Sequence, residues 1–205
     1  MRKVLYSSAM IALLVAGCNT PEKTEDVDVE APLEVPTQEE TPDVNREPTK
    51  EIVQSVEGQD ETIQMDLVVG KESAYSLYID KERYTFETDE DRDVLTPTLD
   101  IPEGYPEVNM EFLLVDDKTP EEVKEDLKKE YLFTLDEEQV TTPVPALSLR
   151  GKEGEKPDSS VVTIYLVEAG SGTLLITENS FLEAQEGHGA RFYQMLETLE
   201  LNIAN

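Results

Sequence analysis

SVVTIYLVEAGSGTLLITE, residues 160–178, is the stretch that decides the fold of this 205-residue chain. The seven residues from Val161 to Val167 are all β-branched, aromatic or aliphatic, a composition that favours a β-strand. A second apolar run, Leu174–Ile176, follows Gly170-Ser171-Gly172, and glycine and serine are typical of the turn of a hairpin. The stretch therefore predicts two antiparallel strands, over residues 160–168 and 173–178.

Five shorter stretches upstream also have the composition or the alternation of β-strands. They are Ile63–Val69, Tyr75–Ile79, Tyr84–Glu87, Val94–Thr96 and Val108–Leu113. A helix is predicted to begin at Thr119, because threonine is a favourable cap and Pro120 suits the first helical position. The apolar residues Phe192, Met195, Leu196 and Leu199 recur at helical spacing and predict a terminal helix. This order of elements predicts an α+β fold in which helices pack on an antiparallel sheet.

The C-terminal part resembles the end of PsbP/Mog1-like domains. The resemblance lies in the hairpin at Ile164–Val167 and Leu174–Ile176 and in the segment FYQMLETL at Phe192–Leu199. The wider plan of an early hairpin, a strand–helix centre and a hairpin–helix end is similar over residues 72–202, and the chain looks like lipoproteins of Firmicutes. The resemblance implies an α-β-α sandwich, and it implies a binding or assembly role, because that superfamily has no shared catalytic site.

The first eighteen residues have the layout of an export signal. Arg2 and Lys3 precede an apolar run from Val4 to Ala16, which is shorter than the roughly 20 residues that a membrane-spanning helix needs. The run ends in Val15-Ala16-Gly17-Cys18, which resembles the bacterial lipobox. The resemblance implies removal of residues 1–17, lipid attachment through diacylglycerol on Cys18 and a place on the outer face of the cell membrane. The alternative is an ordinary secreted protein with a chance cysteine.

The chain after the signal is strongly acidic and has two predicted parts. The formal net charge of the sequence is −29, so nucleic acid and anionic lipid headgroups are not expected partners. Residues 18–61 are rich in Pro, Glu and Thr and lack aromatic residues, which is typical of a disordered tether. Residues 62–205 are predicted to form the folded domain. Since Cys18 is the only cysteine, a disulfide, a thiolate metal site and a cysteine nucleophile are excluded from that domain.

The sequence Glu186-Gly187-His188-Gly189 holds the only histidine, just ahead of the predicted terminal helix. One interpretation is a binding loop in which His188 is a metal ligand or a proton donor, with Glu183 and Glu186 nearby. The other is a purely structural loop, in which Gly187 ends one helical turn and His188 or Gly189 caps the next. We expect valine at Gly187 or Gly189 to destabilise the fold wherever the native φ angle is positive. Five tyrosines, at positions 75, 78, 84, 105 and 131, either line a groove or pack half-buried on the sheet.

Asp89, Asp91 and Asp93 have the one-three-five spacing of a calcium loop, and Asp100 falls at position twelve. Position six is Val94, where an EF-hand loop requires glycine, so the match fails at the turn. A solvated hairpin tip is therefore the preferred interpretation, and a metal site is not predicted. No cofactor is predicted either.

The sequence favours a non-catalytic binding or assembly module for a protein or an envelope component. No catalytic residue is assigned, because the chain has no Gly-x-Ser-x-Gly motif and no cysteine or histidine pair. Two alternatives stay open, a weak calcium-binding module at the aspartate loop and a hydrolase-like enzyme centred on His188.

Overall fold

The computed structural model describes residues 44–56 and 59–202. This part of the chain forms eleven strands and two α-helices. The strands are β1 (Thr49–Val56), β2 (Gln59–Val69), β3 (Tyr75–Ile79), β4 (Tyr84–Thr88), β5 (Asp93–Pro97), β6 (Asn109–Val115), β7 (Asp136–Val140), β8 (Ala146–Lys152), β9 (Ser160–Ala169), β10 (Gly172–Phe181) and β11 (Glu200–Leu201). The helices are α1 (Pro120–Glu130) and α2 (His188–Leu196).

The predicted hairpin lies inside a seven-stranded antiparallel sheet with the strand order β4-β5-β6-β10-β9-β8-β7. β9 and β10 pair along their full length, from Gly172 opposite Ala169 to Phe181 opposite Ser160. β10 also pairs with β6 on its other side. The strands outside this centre, β7 and β8, were not predicted, because the acidic segment Asp136–Glu138 has little strand propensity of its own.

A second antiparallel sheet has four strands in the order β1-β2-β3-β11. β1 pairs with β2 from Thr49 opposite Asp66 to Val56 opposite Gln59. The last strand, β11, pairs with β3 through Glu200 and Leu201. This sheet therefore joins residues from both ends of the described chain.

The seven-stranded sheet is covered on both faces. On one face, Val123 and Leu127 of α1 are buried in a cluster that also contains Leu149, Ile164 and Leu166 of the sheet. The other face contributes Phe112, Tyr165, Leu174 and Ile176 to a larger cluster, with Phe192, Met195 and Leu196 of α2 and with Met65, Leu77 and Ile79 of the second sheet. The prediction of an α+β fold, with helices packed on an antiparallel sheet, is confirmed.

α1 begins where the sequence predicted it, and for the predicted physical reasons. Thr119 is the N-cap, its hydroxyl accepts a hydrogen bond from the Glu122 N–H, and the Glu122 carboxylate accepts one from the Thr119 N–H. Pro120 occupies the first turn, where a missing N–H costs nothing. The sequence therefore specifies this helix terminus locally.

The predicted domain boundary requires a correction. Residues 49–56 and 59–61, assigned to the disordered tether, belong to β1 and the start of β2. Arg46 fixes the chain just ahead of them, because its guanidinium donates to the Ser76 and Thr198 carbonyl oxygens and lies 4.5 Å from the centre of the Tyr78 ring. The folded part thus includes Arg46, while residues 18–43 of the predicted tether lie outside the described residues.

Candidate functional site, the groove around His188

A groove lined by described residues has a volume of about 780 Å³. Its walls are the start of β4, the loop after β5, the 3-10 turn Leu182–Gln185 and the first turn of α2. We call it the His188 groove. Its formation depends on the fold, because β4 and α2 are distant in sequence and are brought into contact only in the folded chain, where Tyr84 touches His188 and Phe192.

One wall of the His188 groove is apolar and accessible. Leu99 is 82% exposed and Tyr105 is 40% exposed, although both are large hydrophobic residues. The Tyr105 ring packs against Phe181 with 5.0 Å between the ring centres, and Ile101 also lines the groove. Exposed apolar side chains that converge on one concave surface are typical of ligand-binding sites.

His188 lies half-buried in the floor of the groove. Its Nδ1 atom is 2.9 Å from the hydroxyl oxygen of Tyr84, and the Tyr84 side chain is only 1% exposed. Burial and the neighbouring Arg191 guanidinium both lower the pKa of His188. The imidazole is therefore uncharged at neutral pH, and together with the Arg191 side chain it satisfies the buried Tyr84 hydroxyl.

The two glycines of the predicted binding loop have structural roles different from those expected. Gly187 is itself the N-cap of α2, and His188 and Gly189 lie within the first helical turn. The φ angle of Gly187 is −91°, and positive φ angles at glycine occur, within the described residues, only at Gly104 and Gly170. The predicted cap at His188 or Gly189 is therefore wrong. Since neither glycine has a positive φ angle, valine there would not be strained for that reason.

Gly187 and Gly189 nevertheless have close neighbours. A β-carbon built on Gly187 would lie 3.4 Å from Nη1 of Arg191, and one on Gly189 would lie 3.5 Å from the Gln185 side chain. Glu186, the remaining residue of the predicted loop, is exposed and follows the 3-10 turn. Of the predicted loop, Gly187 and His188 line the groove.

Two arginines also line the groove, and the sequence interpretation missed both. Arg83 is ion-paired, with 2.7 Å from Nη1 to the Asp80 carboxylate and 3.0 Å from Nη2 to the Glu61 carboxylate. Arg191 projects from α2, and its positive charge lowers the pKa of His188 and opposes the rise that burial causes in the pKa of Tyr84. Their positions could not be read from sequence spacing, because the groove is made of distant segments.

The predicted tyrosines divide into two groups. Tyr84 and Tyr105 line the His188 groove. Tyr75 and Tyr78 are buried in the core, and Tyr131 packs against Phe133 beside α1 with 5.4 Å between the ring centres. The prediction that these tyrosines line a groove is therefore correct for two of the five tyrosines.

The aspartate loop does not converge into a cation site. Asp93 is fully buried, where its Oδ2 atom accepts hydrogen bonds from the Tyr75 hydroxyl at 2.6 Å and the Lys71 N–H at 2.8 Å. Its Oδ1 atom accepts from the Thr88 hydroxyl at 2.6 Å. Asp91 is exposed and pairs with Arg92, and Asp89 is exposed at the hairpin tip. Among the described residues, no three His, Cys, Asp or Glu side chains lie close enough together to hold a metal ion.

The lipobox and Cys18 lie outside the described residues, and so does the whole predicted signal peptide. In the part of the chain that is described, no helix is long and apolar enough to cross a membrane. The chain matches no known protein-family model, and no curated protein is significantly similar to it.

The Tyr84–His188 contact predicts a cost for removing the imidazole. We expect His188→Ala to lower the free energy of unfolding by about 0.5–1.5 kcal/mol, because the buried Tyr84 hydroxyl loses one of its hydrogen-bond partners. Tyr84→Phe removes that hydroxyl, so the double variant is expected to lose less stability than the sum of the two single variants. Urea unfolding of all four proteins measures this coupling, and strictly additive losses would show that the two side chains do not interact.

Proposed function

We propose that this protein is a lipid-anchored, extracytoplasmic binding module that holds a protein or an envelope component in the His188 groove without catalysing a reaction. The residues that line the groove are the main support for this proposal. It combines an accessible apolar wall of Leu99, Ile101 and Tyr105 with a few polar groups, His188 and Arg191, and this combination is typical of sites that bind a small molecule or a peptide.

The proposed position on the outer face of the cell membrane is supported by the sequence of the first eighteen residues. An apolar run that is too short to span a bilayer ends in Val15-Ala16-Gly17-Cys18. Two acyl chains attached through Cys18 hold a protein where a single chain is marginal, since each buried CH₂ contributes about 0.8 kcal/mol.

We also propose a PsbP/Mog1-like identity for the fold. It is supported by the order of the last elements, in which the β9–β10 hairpin is followed by α2, and by helices on both faces of the central sheet. A binding or assembly role agrees with what that resemblance implies.

The absence of catalysis is proposed from how the groove's polar groups are engaged. His188 bonds to Tyr84, and Arg83 is held by Asp80 and Glu61. A general base in a nucleophilic mechanism requires a nucleophile and an orienting group on the two sides of the imidazole. Within residues 44–56 and 59–202, no carboxylate or serine hydroxyl forms a hydrogen bond with His188.

A matched pair of exposed leucines tests the binding role. Leu99 lines the groove, whereas Leu132 follows α1 on a different surface and is fully exposed. Membrane extracts would be passed over immobilised wild type, Leu99→Asp and Leu132→Asp. We expect a component retained by wild type and Leu132→Asp but lost with Leu99→Asp. Equal retention by all three proteins would contradict binding in this groove.

The lipid anchor has its own test. Cells expressing the wild type or Cys18→Ala would be labelled with a palmitate analogue, and incorporation into the protein would be measured. We expect label on the wild type only, because the diacylglycerol has no sulfur to join in the variant. Label retained by Cys18→Ala would contradict the lipoprotein assignment.

A further inference from the structure

We infer that the His188 groove binds a ligand with a single carboxylate next to an apolar group, and that Arg191 holds this carboxylate. The inference rests on the proposed binding role of the groove and adds the chemistry of its ligand. It starts from a charge that the described part of the chain leaves unbalanced.

Arg191 differs from most of the described arginines. Arg46, Arg83 and Arg92 each form at least one ion pair with a carboxylate, and Arg150, which forms none, donates a hydrogen bond to the Gln185 side chain. Arg191 forms no ion pair with any described residue, although Asp and Glu outnumber Lys and Arg by 46 to 17 in the sequence. Its Nε atom is buried and has no hydrogen-bond partner in the described part of the chain. A buried N–H group without an acceptor is unfavourable, and an anion that accepts a hydrogen bond from Nε would relieve that cost.

The Arg191 guanidinium lies beside the N-terminus of α2, and this position makes the local electrostatic potential more positive. Its Nη1 atom lies over Gly187, the N-cap of α2, 3.4 Å from where a β-carbon would be. Gly187 offers no side chain to accept from the first N–H groups, and the first turn of α2 contains no acidic residue. A helix N-terminus carries a partial positive charge, so a cation beside it is unfavourable unless an anion lies between them.

The charges around the groove favour a monoanion. His188 is uncharged at neutral pH because its pKa is lowered, and the charge of Arg83 is balanced by Asp80 and Glu61. Glu82, Asp100 and Glu183 line the exposed edge and would repel a phosphate dianion. One guanidinium with a planar fork of donors matches one carboxylate.

The apolar wall specifies the rest of the ligand. Leu99 and Tyr105 are exposed in the same groove as Arg191, so an apolar group attached to the carboxylate would cover them. A peptide that ends in an apolar residue has this chemistry, and capture of a C-terminal carboxylate by backbone N–H groups is a known mode of peptide recognition. A fatty acid has the same pairing of groups.

Four probe molecules distinguish a peptide C-terminus from a fatty acid as the source of the carboxylate. They are N-acetyl-leucyl-leucine with a free carboxylate, the same dipeptide as a C-terminal amide, decanoate and inorganic phosphate. Each would be titrated into the isotope-labelled chain from residue 18 onward, carrying Cys18→Ala, while backbone amide shifts are recorded. We expect the free acid to shift Leu99, His188 and Arg191 and to bind at least about tenfold more tightly than the amide, the effect of one charge-assisted hydrogen bond.

Two variants assign the effect to Arg191. Arg191→Gln is expected to weaken binding of the free acid to the level of the amide and to leave the melting temperature nearly unchanged, since Arg191 is only partly buried and forms no ion pair with a described residue. Lys129→Gln makes the same change of charge on the exposed side of α1 and is expected to change nothing. Decanoate binding as tightly as the dipeptide acid would identify a fatty acid as the ligand source.

The inference is overturned if acid and amide bind equally, if phosphate binds more tightly than either acid, if Arg191→Gln leaves binding of the acid intact, or if no acid binds at millimolar concentration. If the acid and the amide bind equally and both shift Leu99, the groove binds ligands but does not recognise a carboxylate. If no probe binds but the Leu99-dependent component is still captured from membranes, the inference about the carboxylate is wrong and the proposed binding function stands.

Discussion

Asp93→Ala is expected to lower the free energy of unfolding by about 1–3 kcal/mol, the cost of leaving a buried hydrogen-bond donor without its acceptor. Three donors point at this carboxyl, the Tyr75 and Thr88 hydroxyls and the Lys71 N–H. The Tyr75 hydroxyl is buried and would lose its acceptor, whereas the exposed Thr88 hydroxyl can bond to water instead.

The same carboxyl also holds a turn that is unfavourable by itself. Glu72 and Ser73 have φ angles of 55° and 57°, which L-residues adopt only when the surrounding structure requires it. Lys71 and Tyr75 flank these two residues, so Asp93 fixes the turn from both sides. Loss of Asp93 is therefore expected to affect the Gly70–Tyr75 segment first.

Asp91→Ala is the matched control for Asp93→Ala. Asp91 is exposed and forms an ion pair with the neighbouring Arg92, so its loss is expected to change stability very little. Chemical denaturation of the two variants in calcium-free buffer measures the difference. Equally small losses would contradict a structural role for Asp93.

Glu178→Gln is expected to stabilise the protein at alkaline pH by a few kcal/mol. Glu178 lies on the central strand β10, its side chain is buried, and its Oε1 atom has no partner among the described residues. Burial raises the pKa of this carboxyl from 4.5 to about 8, although the positive charge of Arg150 acts in the opposite direction. Glutamine has the shape of the protonated acid but cannot ionise.

The pH dependence follows from this raised pKa. Between pH 4.5 and about 8 the folded protein keeps a proton that the unfolded chain releases, so stability is complete below pH 4.5 and is lost as the pH rises through 8. Each pKa unit corresponds to about 1.4 kcal/mol. The melting temperature, measured from pH 4 to 9, should fall with rising pH for wild type and for the exposed control Glu168→Gln. It should change less for Glu178→Gln. Parallel curves for all three proteins would contradict the raised pKa.

Elements specified by local residues were predictable from the sequence. The Thr119–Glu122 capping box and the Gly170–Gly172 turn depend on neighbours within a few positions, and both appear in the structure as expected. The apolar spacing of Phe192, Met195 and Leu196 likewise gave the buried face of α2.

Elements that depend on distant partners were missed. β1 contains Lys50, Glu51 and Gln54 and follows a proline-rich acidic segment, so its composition resembles the tether. It becomes a strand because β2 supplies hydrogen bonds along its whole length and Ile52 packs against the core. β7 is similarly acidic and forms only by pairing with β8.

The candidate site was predicted only in part. The lone histidine between two glycines indicated His188 as a candidate, and the structure places it in the groove described above. Its partner Tyr84 is 104 positions away, and Leu99 and Arg191 carried no motif. The aspartate spacing was misleading, because strand pairing turns Asp93 into the core while Asp89 and Asp91 face solvent.

The central claim is that this chain binds its partner through the His188 groove, and site-specific photo-crosslinking in cells tests it most directly. A photoreactive amino acid would replace Leu99 in one full-length chain and Leu132 in another, since both side chains are exposed. We predict a discrete covalent adduct from position 99 that disappears with Arg191→Gln in the same chain, and none from position 132. The same adduct from both positions, or from neither, would contradict the claim.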